Sequence, residues 1–167
     1  MNHSRRYIRD GIMKTRRDID FRAAHVCVEA AVSHGLRIGA PLAAAVVDGS
    51  ARLTAFLRSG GAFVRSTEIA VNKAETAAGF RMETGALYGM VKDNAAVLEG
   101  LRSLPGAALF GGGVPIMFAD EVIGAIGVSG GSEDQDIECA RAGIAAIEAL
   151  LAGESQAFGN ERGLADD

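Results

Sequence analysis

Apolar residues recur at helical spacing from Phe21 onward. Phe21, Ala24, Val28, Ala31 and Val32 share one face of a helix that Asp18 or Asp20 can cap and that runs to about Arg37. The opposite side is apolar too, through Ala23, Val26 and Ala30, which leaves Arg22, His25, Glu29 and Ser33 as a polar strip. A helix apolar on two sides is covered on two sides, and a neighbouring subunit is one candidate for the second cover. Gly39-Ala40-Pro41 stops the helix. The period then shortens: Leu42–Asp48 and Arg52–Arg58 read as strands joined by Gly49-Ser50-Ala51, a β-hairpin. Ser66 or Thr67 opens a second helix bearing Ile69, Ala70, Ala74, Ala77 and Ala78, with Glu68 near its positive end. Thr84 and Asn94 start shorter helical pieces that end before Pro105-Gly106.

Ala107–Phe110, Val114–Ala119 and Val122–Val128 read as a three-stranded meander, with Gly111-Gly112-Gly113 and Asp120-Glu121 as its turns. Ser132 opens the last helix with Gln135 at its third position, a capping box. The predicted fold is α+β in layers: an antiparallel sheet of about five strands, helices packed on it, the first and last long. No internal repeat interrupts this plan. It divides into a basic N-terminal arm (1–17), a single domain (18–152) and an acidic C-terminal tail (153–167).

Composition narrows the class. The chain has 167 residues, 49% of them hydrophobic, with 22 glycines and no Trp, so its core is built from Ala, Val, Ile and Leu. Formal net charge is −4, which argues against nucleic acid as a partner, since phosphate binding needs concentrated Lys and Arg. The charge is uneven. Arg5, Arg6, Arg9, Lys14, Arg16 and Arg17 stand against Asp10 in residues 1–17, a net of +5. Glu154, Glu161, Asp166 and Asp167 stand against Arg162 in residues 153–167, a net of −3. Both read as solvated ends, with contact between subunits as the alternative. The arm lacks the apolar run of a secretory signal, and no stretch has membrane-spanning character, so no membrane is expected. Cys27 and Cys139 lie in predicted helices at no metal-ligand spacing and read as reduced core thiols of a cytoplasmic protein.

Candidate chemistry is sparse. Gly111-Gly112-Gly113 has no helix after it to aim amides at a phosphate, and reads as a bend between strands. Gly124 and Gly127 leave flat patches on a strand, for a planar ligand or for close packing of the first or last helix. Ser129-Gly130-Gly131-Ser132 offers amides and hydroxyls, either as a carboxylate nest or as the helix cap. No independent metal site is evident: Asp134, Asp136 and Glu138 look like first-turn charges on the last helix. His25 and His34 are too far apart around the first helix to form a zinc pair. His25 pairs with Glu29, and His34 can meet the final carbonyls of its helix. Arg58, Lys73 and then Arg65 are the cations to meet a ligand carboxylate, or else they form salt bridges that fix the second helix. Asp48, ending a strand, is the best single acid or base, with turn capping as its structural role. No Ser-His-Asp order or carboxylate pair points to hydrolysis.

A family resemblance rests on several blocks. Ala44-Ala45-Val46-Val47-Asp48, Leu53-Thr54-Ala55-Phe56-Leu57-Arg58 and Ser66 through Ala77 resemble the front half of the GlcG/HbpS-like haem-binding (haem-degrading domain) family. Gly111-Gly112-Gly113-Val114-Pro115-Ile116, the run Glu121–Gly131 and Gln135-Asp136 resemble its back half. The resemblance covers roughly 19–150 and extends to the C-terminal domain of a type of corrinoid adenosyltransferase. It implies a layered antiparallel-sheet fold, homo-oligomers, tetrapyrrole binding in some members, and a place beside catabolic enzymes in others. It also marks His34 as a haem axial ligand. Two places depart from the pattern. Ser50 and Ala51 stand where the family has two glycines, and Ser59-Gly60-Gly61-Ala62 replaces Met-Asp-Gly-Ala, so the acid of that loop is missing.

Two functions follow. As a binding protein, an oligomer holds haem or a related tetrapyrrole in an apolar slot, with Arg58, Arg65, Lys73, Gly112, Gly113, Ser129, Gly130 and Ser132 as ligand contacts. As a small catabolic hydrolase, deaminase or isomerase, it uses Lys73 or Asp48 for proton transfer on a carboxylated metabolite held by Arg58.

Overall fold

The computed structural model describes residues 16–162. Its elements, in chain order, are α1 (Phe21–Arg37), β1 (Ala43–Asp48), β2 (Leu53–Arg58), α2 (Ser66–Phe80), α3 (Thr84–Val91), α4 (Ala95–Arg102), β3 (Gly113–Phe118), β4 (Glu121–Ser129) and α5 (Glu133–Arg162). The sheet has four antiparallel strands in the order β2-β1-β4-β3. The expected fifth strand, Ala107–Phe110, is not one. Its backbone bonds to threonine hydroxyls instead: Ala108 N donates to Thr76 Oγ1, and Phe110 O accepts from Thr84 Oγ1. Most of the basic arm lies outside the described residues. At the other end α5 continues to Arg162, so a helix occupies residues expected to form the tail.

β1 sits inside the sheet with both faces covered, which explains its unbroken apolar run. Alternate side chains face opposite ways. Leu42, Ala44 and Val46 join Cys27, Val28 and Ala31 of α1, Cys139 and Ala140 of α5, and Ile126 and Val128 of β4 in the larger core. Ala43, Ala45 and Val47 face Ala70, Ala74 and Ala77 of α2 in a second core made almost wholly of alanine. Small side chains bring α2 close to the sheet. A Cβ on Gly127 would lie 2.0 Å from Ala70 O, so α2 rests directly on the β4 backbone. The sequence leaves Gly127 to a planar ligand or to close packing of the first or last helix, and the structure corrects the helix. It is the second helix, because the alanine spacing of α2 matches the glycine on β4.

One side of α1 packs against α5 and the sheet, and Ala23 joins the same core, while Val26 and Ala30 on the other side stay partly exposed. Asp20 caps α1 by accepting from Arg22 N, and Ser132 and Gln135 form the expected reciprocal box at the start of α5.

Candidate functional site

The expected site residues gather mostly at one end of the sheet. Ala43 pairs with Arg58 on one side and Ser129 on the other, so Arg58 and Ser129 lie two strand spacings apart, about 10 Å. The chain leaves this end through the Ser59–Arg65 loop and the Gly130–Ser132 turn. Both turns lean on Ala40–Leu42. Ser59 Oγ accepts from Leu42 N at 2.9 Å and donates to Leu42 O at 3.1 Å. Gly61, at φ 87°, sits against Pro41, and a Cβ on Gly130 would come within 2.6 Å of Leu42 Cα. Glycine at 130 is therefore a packing requirement of this junction.

Arg58 and Arg65 stand at the surface of the loop. Arg58 Nη1 donates to Ala62 O at 2.9 Å, and Arg65 Nη1 lies 2.8 Å from Glu68 Oε2. Between them Phe63 and Val64 are 72% and 83% exposed, two consecutive apolar side chains with nearly all their area in water. Such a pair marks a contact surface more than a random exposed residue does.

Lys73 is placed differently from the two arginines. It is 1% exposed, and Nζ donates to Asp136 Oδ2 at 2.7 Å and to Val128 O at 2.9 Å. The Phe110 ring lies 4.6 Å from Nζ. Asp136 Oδ1 accepts from Gly131 N at 3.0 Å, so the carboxylate ties α5 to the turn before it. Burial lowers the Lys73 pKa and raises that of Asp136, and each partner opposes the other's shift. Gly112 and Gly113 pack around this pair. A Cβ on Gly112 would stand 2.8 Å from Lys73 Nζ, and one on Gly113 would stand 2.5 Å from Lys73 O. Ser129 is buried beside them, and Ser132 spends its hydroxyl on the α5 cap.

His34, at the C-terminal end of α1, faces α5. Its Nε2 lies 2.6 Å from Glu138 Oε1, and Arg37 Nη2 donates to Nδ1. A guanidinium can only donate, so Nδ1 carries the lone pair and Nε2 carries the hydrogen given to Glu138. A carboxylate orienting one imidazole nitrogen while the other keeps its lone pair is the arrangement of metal-ligating histidines. The expected pair of His25 with Glu29 is present at 3.9 Å on the exposed side of α1.

Asp48 is not brought to this end. It terminates β1 five residues beyond Ala43, about 17 Å along the strand. There its Oδ1 accepts from Ser50 N at 2.7 Å and Arg52 N at 3.0 Å, shaping the hairpin turn. Sequence reasoning missed Asp136 and Glu138 as partners. Both had been read as helix-dipole charges, and their separations of 63 and 104 residues leave no local signal. Phe63-Val64 did carry a signal, being an apolar pair in a loop. Among the described residues no group of three or more His, Cys, Asp or Glu side chains could hold a metal ion, and no helix is long and apolar enough to cross a membrane.

Comparison with known proteins agrees with this architecture. A family model described as "Haem degrading protein HbpS-like" matches residues 19–145. An uncharacterised 15.0 kDa protein from the dhaT-dhaS intergenic region of Citrobacter freundii is 37% identical over 71% of this chain and 84% of its own length. Corrinoid adenosyltransferase PduO of Salmonella typhimurium is 36% identical over 77% of this chain, which spans only 39% of that enzyme. Klebsiella pneumoniae protein ORFY superposes with a TM-score of 0.79 at 28% identity, covering 84% of this chain and 97% of that one. A PduOC:heme complex superposes at 0.71 with 32% identity, covering 77% and 94%.

Proposed function

This chain belongs to the HbpS-like family, and from that premise we propose that it binds haem or a related carboxylated tetrapyrrole at the end of the sheet where the Ser59–Arg65 loop meets the Ser129–Ser132 turn. The observation that carries the reading is the exposed pair Phe63 and Val64 held between Arg58 and Arg65. A planar apolar ring with carboxylates needs both: apolar area to cover and cations at its margin.

The donor set suits the group. Arg58 and Arg65 would hold the propionates, Phe63 and Val64 would cover a ring face, and His34 Nδ1 would ligate iron once Arg37 swings away. Arg37 is exposed at the helix end, so that exchange requires no repacking of the core. Glu138 would then keep the imidazole oriented. Bound haem would supply a redox-active iron at this surface. Lys73, Gly112, Gly113 and Ser129 support the site from beneath, holding α2 and α5 in place.

Less supports the enzyme alternative. Lys73 is enclosed with its counter-ion, and Asp48 shapes a turn at the other end of β1. The proposal also includes homo-oligomers and a place beside catabolic enzymes, as the family resemblance implies, and a cytoplasmic setting on the strength of the two free, buried cysteines. Haemin titration of the full chain tests the binding reading. A saturable Soret band that shifts or is lost in His34→Ala supports it. No band in the wild type contradicts haem binding, and an unchanged band in the variant contradicts His34 as ligand.

A further inference from the structure

The opposite end of the molecule holds a cleft that the haem reading does not use. It has a volume of about 480 Å³, within the usual range for small-molecule sites, and lies between the start of α1, the β3–β4 hairpin and the far part of α5. Its wall is apolar: Ile19, Ala23, Phe118, Ile123, Ile147 and Leu151. Two of these, Ile19 and Ile147, also belong to the larger core, so the floor is set by the fold.

The rim carries two aspartates and two arginines, held in different ways. Asp18 and Asp20 are both committed to backbone. Asp18 Oδ1 accepts from Gly49 N at 3.0 Å and lies 3.5 Å from Arg16 Nε, and Asp20 Oδ1 accepts from Arg22 N at 2.9 Å. Arg17 and Arg22 lie instead against aromatic rings, 5.4 Å from the Phe118 centroid and 5.1 Å from that of Phe21. Neither guanidinium has an ion-pair partner among the described residues. A neighbouring cleft of about 460 Å³ shares Arg17 and adds Arg16 and Arg81, set against Asp120 and Glu121. A guanidinium stacked on a ring keeps its donors free in the ring plane, ready for a carboxylate.

We infer that this cleft is a second binding site, independent of the haem reading, for a free carboxylate with an apolar tail, such as a medium-chain fatty acid. The tail would fill the wall from Ile19 to Leu151, and Arg17 and Arg22 would take the head group.

The test uses the full chain and the fluorophore 1-anilinonaphthalene-8-sulfonate, displaced by laurate. Saturable uptake is expected, with laurate displacing the fluorophore and neutral dodecanol displacing it at least tenfold less effectively. Arg17→Glu with Arg22→Glu, both at exposed positions, should weaken laurate at least tenfold. Leu151→Glu should weaken both fluorophore and laurate. Haemin titration should be unchanged in both variants, which separates this site from the one above. Absence of uptake by the wild type, as when another part of the chain or a second copy covers the cleft, overturns the inference. So does equal displacement by dodecanol, or unaltered laurate binding in the double arginine variant.

Discussion

Lys73 Nζ lies 2.7 Å from Asp136 Oδ2, a buried ion pair that joins α2 to α5 across the end of β4. Its neighbours satisfy it further: Val128 O accepts from the amine, and Gly131 N donates to the carboxylate. Two ions taken out of water at large cost are retained where they fix geometry, and here they set α2 and α5 on either side of the candidate site.

Removing one partner should therefore be costly. Asp136→Asn is expected to lower unfolding free energy by about 3–5 kcal/mol, since it strands a buried ammonium. The pH dependence has a definite sign. Burial lowers the Lys73 pKa from 10.5, and Asp136 resists that shift, so the variant lowers it further. The unfolded chain then binds more protons than the folded one between that lowered value and 10.5, and variant stability rises with pH across the window. Urea titrations at several pH values check this, and a flat or falling profile relative to wild type would refute it.

The thiols give a second pH signature, of opposite direction. Burial pushes Cys27 up to about 12 and Cys139 up to about 11, against 9.0 for an open thiol. Above 9.0 the unfolded chain ionises while the folded one does not, so stability is full below 9.0 and falls from there toward 11–12. The slope is about 1.4 kcal/mol per pH unit for each thiol. Cys139→Ala should have a shallower alkaline loss than wild type in the same denaturation series.

Ala51 carries a left-handed φ of 60° in the β1–β2 turn, at a place where the family resemblance puts glycine. Relief of that backbone strain, offset by the entropy of a new glycine and by lost packing, should leave Ala51→Gly more stable by about 0.5–1 kcal/mol. Thermal melting measures it.

That turn shows what the sequence made legible. The hairpin, the Asp20 cap, the Ser132–Gln135 box and the alanine spacing of α2 are local patterns, and all appear in the structure. So is the family match, because it rests on ordered blocks along the chain. Ala107–Phe110 misled because its apolar run satisfies its backbone through Thr76 and Thr84 rather than a neighbouring strand. The companions of Lys73 and His34 come from α5, and a pairing across the whole chain has no spacing to reveal it. Arg58 and Arg65 could be chosen as surface cations from local context. Lys73 could not be told apart from them, because burial is a property of the packed helix.

The α3–α4 excursion carries the oligomer proposal. α4 buries none of its residues, and Tyr88, Met90, Val97 and Leu104 are all exposed. An eight-residue helix is marginal in water without packing, so a second copy is its expected support. Val97→Asp should shift sedimentation toward smaller species while circular dichroism stays close to wild type. An unchanged mass would remove α4 from the interface.

The measurement closest to the central claim is haemin affinity in a variant carrying Arg58→Ala and Arg65→Ala. Loss of two charge-assisted contacts to carboxylates at about 1.5–3 kcal/mol each predicts binding at least tenfold weaker. Melting should stay within about 2 °C of wild type, because neither side chain supports the core. Haemin affinity equal to wild type in that variant would contradict a ligand site at the Ser59–Arg65 loop.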